Sequence, residues 1–400
     1  MNGGAVAGIV LFSLLLCVAI IAFLLRSKLA WRIATDIPNG RSLHTSPIPR
    51  IGGWGLVPAA IAAALVFGNF DWYLAAFAAV LFVISYLDDR VGLPIYVRLP
   101  AHAAAAAAWL SFGPVSLPLH IAAMAAFAIV WITNLFNFMD GADGLAGGMA
   151  LLAFGIFGVV AARAGVTPLA LWSFALAGAS AGFLIFNLPP ARVFLGDAGS
   201  VTIGFLAGAF GIWGWAAGAW PAWFPFLVSA PFFLDATGTI LRRMARGEKF
   251  WRAHREHYYQ RLIRSGWSHR RTAVFEYVLM GASAGFAVVM LAWSPLAQYV
   301  GLIFAAAVYI AVGFAIDRRW AAFRGTERAA RIQPVFSNVE PRVPQRQRPG
   351  ALPSHSTHAR VVSDAQRAVM IGRRIANEEQ TDYPHEEAVL TREPDSVVQK

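Results

Sequence analysis

Apolar runs of bilayer-crossing length recur along this chain up to about residue 316, and no other feature limits its fold so strongly. About 20 apolar residues of helix cross the hydrocarbon core. Backbone exposed to lipid must close its own hydrogen bonds, so helices suffice and no strand is needed. Eleven segments read this way, at about 4–25, 54–69, 72–87, 99–112, 119–137, 144–162, 168–186, 200–217, 220–240, 273–292 and 296–316. Composition agrees. The chain is 58% hydrophobic and 14% charged, where a soluble domain is nearer half apolar and a quarter charged. The expected fold is an all-α polytopic integral membrane protein.

Lysine and arginine set the orientation. No basic residue precedes the first run, and Arg26 and Lys28 follow it. A cleavable signal has the opposite arrangement, so an uncleaved helix with its N-terminus outside is expected. If every segment crosses, the inner loops 26–53, 88–98, 138–143, 187–199 and 241–272 hold 5, 2, 0, 1 and 10 basic residues, and the outer loops hold only Arg163. The fourth segment is short and contains Pro100 and His102. If it failed to cross, the ten basic residues of 241–272 would move outside, against the positive-inside rule. Residues 1–316 therefore read as a membrane-embedded domain. Residues 317–400 read as a cytoplasmic tail, mostly disordered because Pro, Gln, Ser and Arg abound and aromatics are scarce. The net charge of +11 sits in the loops and tail, which points to a lipid bilayer surface and away from nucleic acid. Cys17 stands alone in the first run, so no disulfide framework exists.

With orientation set by basic residues alone, the acidic motifs all fall on the cytoplasmic face. Asp88 and Asp89 are adjacent at the inner end of a segment. Neighbouring acids repel, and one pKa should rise. They read either as a solvated pair beside Arg90 or as a proton acceptor with an electrostatic or metal-orienting partner. In "NFMDGADGLAGG", Asp140 and Asp143 flank a glycine turn before a helix start, where backbone amides can approach an anion. The spacing is not that of an EF-hand. In "FLGDAGS", Asp197 reads either as a helix-capping acid or as a ligand for a hard cation such as Mg²⁺.

The loop "HREHYYQRL" carries His254 and His257 among Arg252, Arg255 and Arg261. It lacks HExxH spacing and a third ligand, so phosphate or sugar contact is expected in preference to zinc; a basic surface helix anchored by Trp251 and Tyr258 is the alternative. Asp235 lies inside the ninth segment, where an acid is a functional candidate unless it reaches the cytosolic edge beside Arg242 and Arg243. Asn39, Arg41, His44 and Arg50 share a loop stiffened by Pro38, Pro47 and Pro49, which suits an anionic substrate. Together these groups suit phosphoryl transfer between two anionic substrates, one of them membrane-bound. A secondary transporter of an anionic solute is the competing class, but transporters place polar sites near the midplane.

The ordered set "DIPNGRSLHTSPIPRIGG", "LDD", "NFMDGADGLAGG", "FLGDAGS" and a His-containing basic loop resembles the polyprenyl-phosphate N-acetylhexosamine-1-phosphate transferases of the glycosyltransferase 4 family. The resemblance covers about residues 1–316. It implies a bacterial inner-membrane enzyme with a cytoplasmic site, transferring an amino-sugar 1-phosphate from a UDP-N-acetylated amino sugar to polyprenyl (undecaprenyl) phosphate and releasing UMP. It implies Mg²⁺, with Mn²⁺ as the alternative ion, and allows a homodimer. By motif, Asp197 resembles the metal ligand, Asp88 the residue that deprotonates the lipid phosphate, and Asp89 its metal-side or structural neighbour. Asn137, Asp140, Asp143 and Phe194 match the nucleotide pocket. His254 and His257 match the family's His motif loosely; with Arg255, His44 and Arg50 they are the expected sugar or phosphate contacts. Members acting on peptidoglycan or common antigen carry adjacent histidines. "HREHYYQRL" departs from that run and is closer to the branch that initiates O-antigen with varied amino sugars.

Overall fold

The structure is a computed structural model that describes residues 2–38, 46–68, 71–249 and 254–332, with side chains described through Thr326. The order is α1 (Gly3–Arg26), α2 (Ala30–Ile33), β1 (Thr35–Asp36), β2 (Ile48–Pro49), α3 (Gly52–Phe67), α4 (Trp72–Val91), α5 (Ile95–Phe112), α6 (Leu119–Met139), α7 (Leu145–Arg163), α8 (Thr167–Asn187), α9 (Asp197–Ala216), α10 (Phe224–Val228), α11 (Ala230–Ala245), α12 (Tyr258–Arg264), α13 (His269–Met290) and α14 (Pro295–Ile332). The protein is mostly helical, and among the described residues ten of the eleven apolar segments lie mainly on one helix each, the ninth on two. Seven helices are long and apolar enough to cross a membrane: α1, α6, α7, α8, α9, α13 and α14.

Three details differ from expectation. A small antiparallel pair exists, with Thr35 opposite Pro49 and Asp36 opposite Ile48. The proline-rich loop thus closes on itself where no strand was expected. The ninth segment is broken at Ser229, with Pro225 and Pro231 near the starts of its two pieces. Proline lacks the N–H a continuous helix would need, but it is tolerated in a first turn. The boundary drawn at 316/317 falls within α14, which continues to Ile332.

α8 and α9 form the buried centre of the bundle. Small residues four apart let helix backbones approach closely. A Cβ on Gly178 would lie 2.4 Å from the Val10 carbonyl oxygen of α1, and one on Gly182 2.6 Å from that of Leu14. Gly204 and Gly208 meet Thr133 and Ile129 of α6 in the same way. This packing brings the Asp197 end of α9 beside the Asn137 end of α6.

Candidate active site

The chemistry-bearing ends of α4, α5, α6, α9 and α12 meet at one cavity of about 310 Å³. Each end is fixed by its own sequence. Helix α4 stops at Gly92, whose left-handed φ of 70° lets its N–H reach the Asp88 carbonyl at 2.9 Å. The Asp88 carboxylate accepts from Leu93 N–H at 2.6 Å and from Arg98 Nη1 at 2.8 Å, so it caps its own helix end and pairs with the first turns of α5. Asp89 turns away from the cavity, with its side chain 1% exposed. It accepts from Ala198 N–H at 3.1 Å, at the positive end of α9, and from Arg50 at 3.3 Å. Burial pushes the Asp89 carboxyl above its ordinary range; the Ala198 and Asp197 amides and the Arg50 charge oppose the shift.

Asp197 opens α9 after Gly196, whose φ is 74°. One Asp197 oxygen accepts from Asn137 Nδ2 at 3.0 Å. The other lies 4.0 Å from Arg98 Nη1, and the side chain keeps 30% of its surface exposed. Asp140 caps the end of α6. Its carboxyl is held well above the usual range by burial and by the charges of Asp197 and Asp89. Asp36, Asp88, Asp89, Asp140 and Asp197 thus crowd around Arg50 and Arg98, leaving negative charge in excess.

A divalent cation fits that donor set. Among the described residues no group of three or more His, Cys, Asp or Glu could by itself hold a metal. Mg²⁺ commonly takes only one or two carboxylates and completes its shell with phosphate oxygens and water. Asp197, part-exposed beside the lining residues Asn137 and Arg98 and with one oxygen away from Asn137, meets that description.

The opposite wall is the His loop. His254 and His257 line the cavity, with ring centroids 4.9 Å apart. Burial, with the neighbouring His257 and Arg243 charges, lowers His254 to about 4, so it is neutral near pH 7. Asp235 anchors this loop. It accepts from Tyr258 N–H at 2.8 Å, Tyr259 N–H at 3.1 Å and Thr239 Oγ1 at 3.2 Å, and lies 3.2 Å from His257 Nδ1. A proton on Nδ1 facing that carboxylate leaves Nε2 as the free acceptor. The intramembrane acid is thus spent on holding α12 and orienting His257.

The other expected residues fall as follows. Asn137 lines the cavity, while Asp89, Asp140, Asp143, Phe194, Asp197, Arg50 and Arg255 do not; Asp197 stands next to it through Asn137. Asp143 accepts from Ala191 N–H at 3.1 Å and sits 3.4 Å from His269 Nδ1. The Phe194 N–H donates to the Pro49 carbonyl at 2.9 Å and its carbonyl accepts from Gly52 N–H, joining the Asp197 loop to the Arg50 loop. Arg50 itself bonds Asp36 at 2.8 Å. The Arg255 carbonyl accepts from Arg264. His44 lies outside the described residues. Reading the sequence missed Arg98, His102, Asn134 and Gln260 as cavity residues. A basic residue and a histidine in the short fourth segment were the available signal, because such groups in apolar surroundings need a polar cavity.

The sequence profile described as "Glycosyl transferase family 4" matches residues 72–214, which span α4 to α9. Undecaprenyl-phosphate alpha-N-acetylglucosaminyl 1-phosphate transferase of Yersinia pestis is 28% identical over 336 residues, covering 76% of this chain and 90% of that protein. The protein of the same name from Escherichia coli (strain K12) is 27% identical over 354 residues, covering 80% and 94%. That from Salmonella typhi is 28% identical over 353 residues, again 80% and 94%. The matched region carries Asp88, Asp89, Asn137, Asp140, Asp143, Phe194 and Asp197, and the wider alignments take in most of the chain. Its motifs, its helices and these likenesses support for this chain the family of the polyprenyl-phosphate N-acetylhexosamine-1-phosphate transferases, to which its α4–α9 region is similar.

Proposed function

We propose that the protein transfers an N-acetylated amino-sugar 1-phosphate from its UDP-sugar to undecaprenyl phosphate. The observation that carries this reading is the convergence of Asp88, Arg98, Asn137 and His257 on one cavity, with Asp197 beside it, 3.0 Å from Asn137 Nδ2 and 4.0 Å from Arg98 Nη1. A lipid-phosphate oxygen attacks the β-phosphorus of the UDP-sugar. A new P–O bond forms, the bond from the β-phosphorus to the bridging oxygen breaks, and UMP leaves with that oxygen. The products are UMP and the lipid-diphosphate sugar.

Arg98 is the group an incoming phosphate would engage. Doing so draws Arg98 from Asp88 and frees Asp88 Oδ2 to take the lipid phosphate's proton, which has a pKa near 6. Asp89 acts from behind, holding α9 by its amide end. Asp197 would hold Mg²⁺, or Mn²⁺ in its place, with Asn137 fixing its second oxygen. Bound there, the ion screens the approach of phosphate to diphosphate, where like unit charges ~4 Å apart cost about 4 kcal/mol at an effective dielectric of 20. Asn137, Asp140, Asp143 and Phe194 frame the nucleotide side. His254, His257 and Gln260 face the sugar.

On the positive-inside count, eleven crossings put this site at the cytoplasmic face of a bacterial inner membrane, with the N-terminus outside and the tail inside. The "HREHYYQRL" loop supports a role in initiating O-antigen. Its departure from the adjacent-histidine run counts against UDP-GlcNAc, the sugar of the relatives' name, and for UDP-GalNAc or a 6-deoxy amino sugar such as UDP-FucNAc or UDP-QuiNAc; the panel holds all four. A transporter is not favoured, because the intramembrane Asp235 is already occupied by backbone and histidine partners.

The test is purified full-length protein with undecaprenyl phosphate, Mg²⁺ and that panel of UDP-sugars, with the lipid product weighed by mass spectrometry. One sugar is expected to yield a lipid-diphosphate sugar and equimolar UMP. Absence of both with every sugar would refute the reading.

A further inference from the structure

A second cavity, of about 490 Å³, opens between α11, α13 and α14. It adjoins the transfer pocket across the Asp235–His257 contact but serves none of the groups assigned above. Leu234, Leu279, Ala306 and Ile310 supply apolar walls. Gly238 keeps it open: a Cβ there would meet nothing within 4 Å. Both α13 and α14 are among the helices apolar enough to cross a membrane, so the groove faces a lipid environment.

Glu276 lines this cavity with only 4% of its surface exposed. Among the described residues its carboxyl makes no hydrogen bond and no ion pair; burial and the Asp235 charge are what it meets. The other acids of the cavity are committed. Asp235 holds α12, and Asp317 pairs with Arg242 at 3.1 Å and Arg261 at 2.6 Å. The Tyr309 hydroxyl is shared with Ser283 at 2.5 Å. A buried carboxyl without a partner is costly, and natural proteins seldom leave one. A donor entering the cavity from outside the chain would supply that partner.

We propose that this groove binds a bilayer lipid with a primary-ammonium head, of the phosphatidylethanolamine type. Its N–H groups donate to Glu276, and its apolar portion lies along Leu279, Ala306 and Ile310. The walls argue for a lipid over a soluble amine. The Glu276 carboxyl, which has no such partner among the described residues, argues for a head that carries an ammonium group, since a head with negative charge alone would meet like charge there. The lack of any donor to Glu276 argues for N–H groups, which a trimethylated choline head lacks.

The test uses the full chain in neutral detergent, titrated with dioctanoyl phosphatidylethanolamine, phosphatidylcholine and phosphatidylglycerol, with bound lipid counted by native mass spectrometry. Retention of the ethanolamine lipid should exceed the other two about tenfold, the factor expected from a hydrogen bond to a charged group. Glu276→Gln should abolish the preference. Gly238→Leu, which fills the groove without a backbone clash, should remove binding. Equal retention of the three lipids by the unmodified chain overturns the proposal. So does a folded Glu276→Gln or Gly238→Leu protein that keeps the preference; if Glu276→Gln fails to fold, Gly238→Leu and the lipid comparison decide.

Discussion

Asp88 and Asp89 are neighbours in sequence and occupy opposite surroundings. Asp88 faces the cavity and meets Arg98, whereas Asp89 is sealed behind it and closes the amide end of α9. That division was legible only in part. Sequence shows two adjacent acids that must differ, but which one turns inward depends on where α9 begins, and α9 is remote in the chain. Asp197 was read as either a cap or a cation ligand; the capping of α9 falls to Asp89, which leaves Asp197 part-exposed beside the cavity residues Asn137 and Arg98. At Asp140, burial and neighbouring carboxylates raise the folded pKa. Such a group holds its proton more tightly folded than unfolded. Its contribution to stability is present below the ordinary carboxylate pKa and is lost as pH rises through the raised value. Asp140→Asn should therefore raise the melting temperature of the cation-free protein at pH 8 by a few degrees and change it little at pH 4. Differential scanning fluorimetry at both pH values checks this; an equal effect at the two would contradict it. At Asp88, substitution by Asn should slow transfer at least tenfold while Mg²⁺-dependent UDP-sugar binding, followed by calorimetry, stays close to that of the unmodified protein.

The His loop shows what an element needs beyond its own sequence. Seven residues of α12 are too few to be stable alone. Asp235 supplies the missing stability by accepting two of its orphan amides. Asp235→Ala should cost about 2 kcal/mol or more at this joint, since each hydrogen bond to a charged group contributes ~1.5–3 kcal/mol. The readout is limited trypsin cleavage at Arg255, Arg261 and Arg264, expected to quicken well before the bundle melts; an unchanged cleavage pattern would remove the anchoring role. Exchanging residues 254–262 for the corresponding loop of a relative should shift preference across the UDP-sugar panel more than across lipid acceptors. A chimera with unaltered sugar choice would count against that assignment. The glycines of "NFMDGADGLAGG" carry a related lesson. They read as room for an anion, yet a Cβ on Gly141 would lie 2.2 Å from the Tyr259 hydroxyl, and the Gly144 N–H is taken by Asn187. Such partners lie tens of residues away, so no local pattern announces them.

At the scale of the molecule, hydrophobic run length located the long apolar helices, because it reports a solvent requirement and not a partner; the short α2 and α12 lie outside those runs. It could not show the break at Ser229 or the reach of α14 beyond residue 316, which depend on proline placement and on charge pairs such as Arg242–Asp317. The orientation rests on basic residues alone. In a Cys17→Ser background, Ala164→Cys should label from outside intact cells and Ala142→Cys should not; labelling of the second would invert the topology. Truncation after Ile332 should leave transfer intact in inserted protein, because every group lining the cavity precedes it. The account stands most directly on Asp197 as the cation-holding carboxylate of the transfer pocket. Its decisive measurement is UMP release by the unmodified protein and by Asp197→Asn across a Mg²⁺ series, with Asp88→Asn alongside. The prediction is at least a hundredfold loss for Asp197→Asn at ordinary Mg²⁺, partly recovered at high Mg²⁺, and a loss for Asp88→Asn that Mg²⁺ does not recover. Normal UMP release by Asp197→Asn at ordinary Mg²⁺ would contradict it.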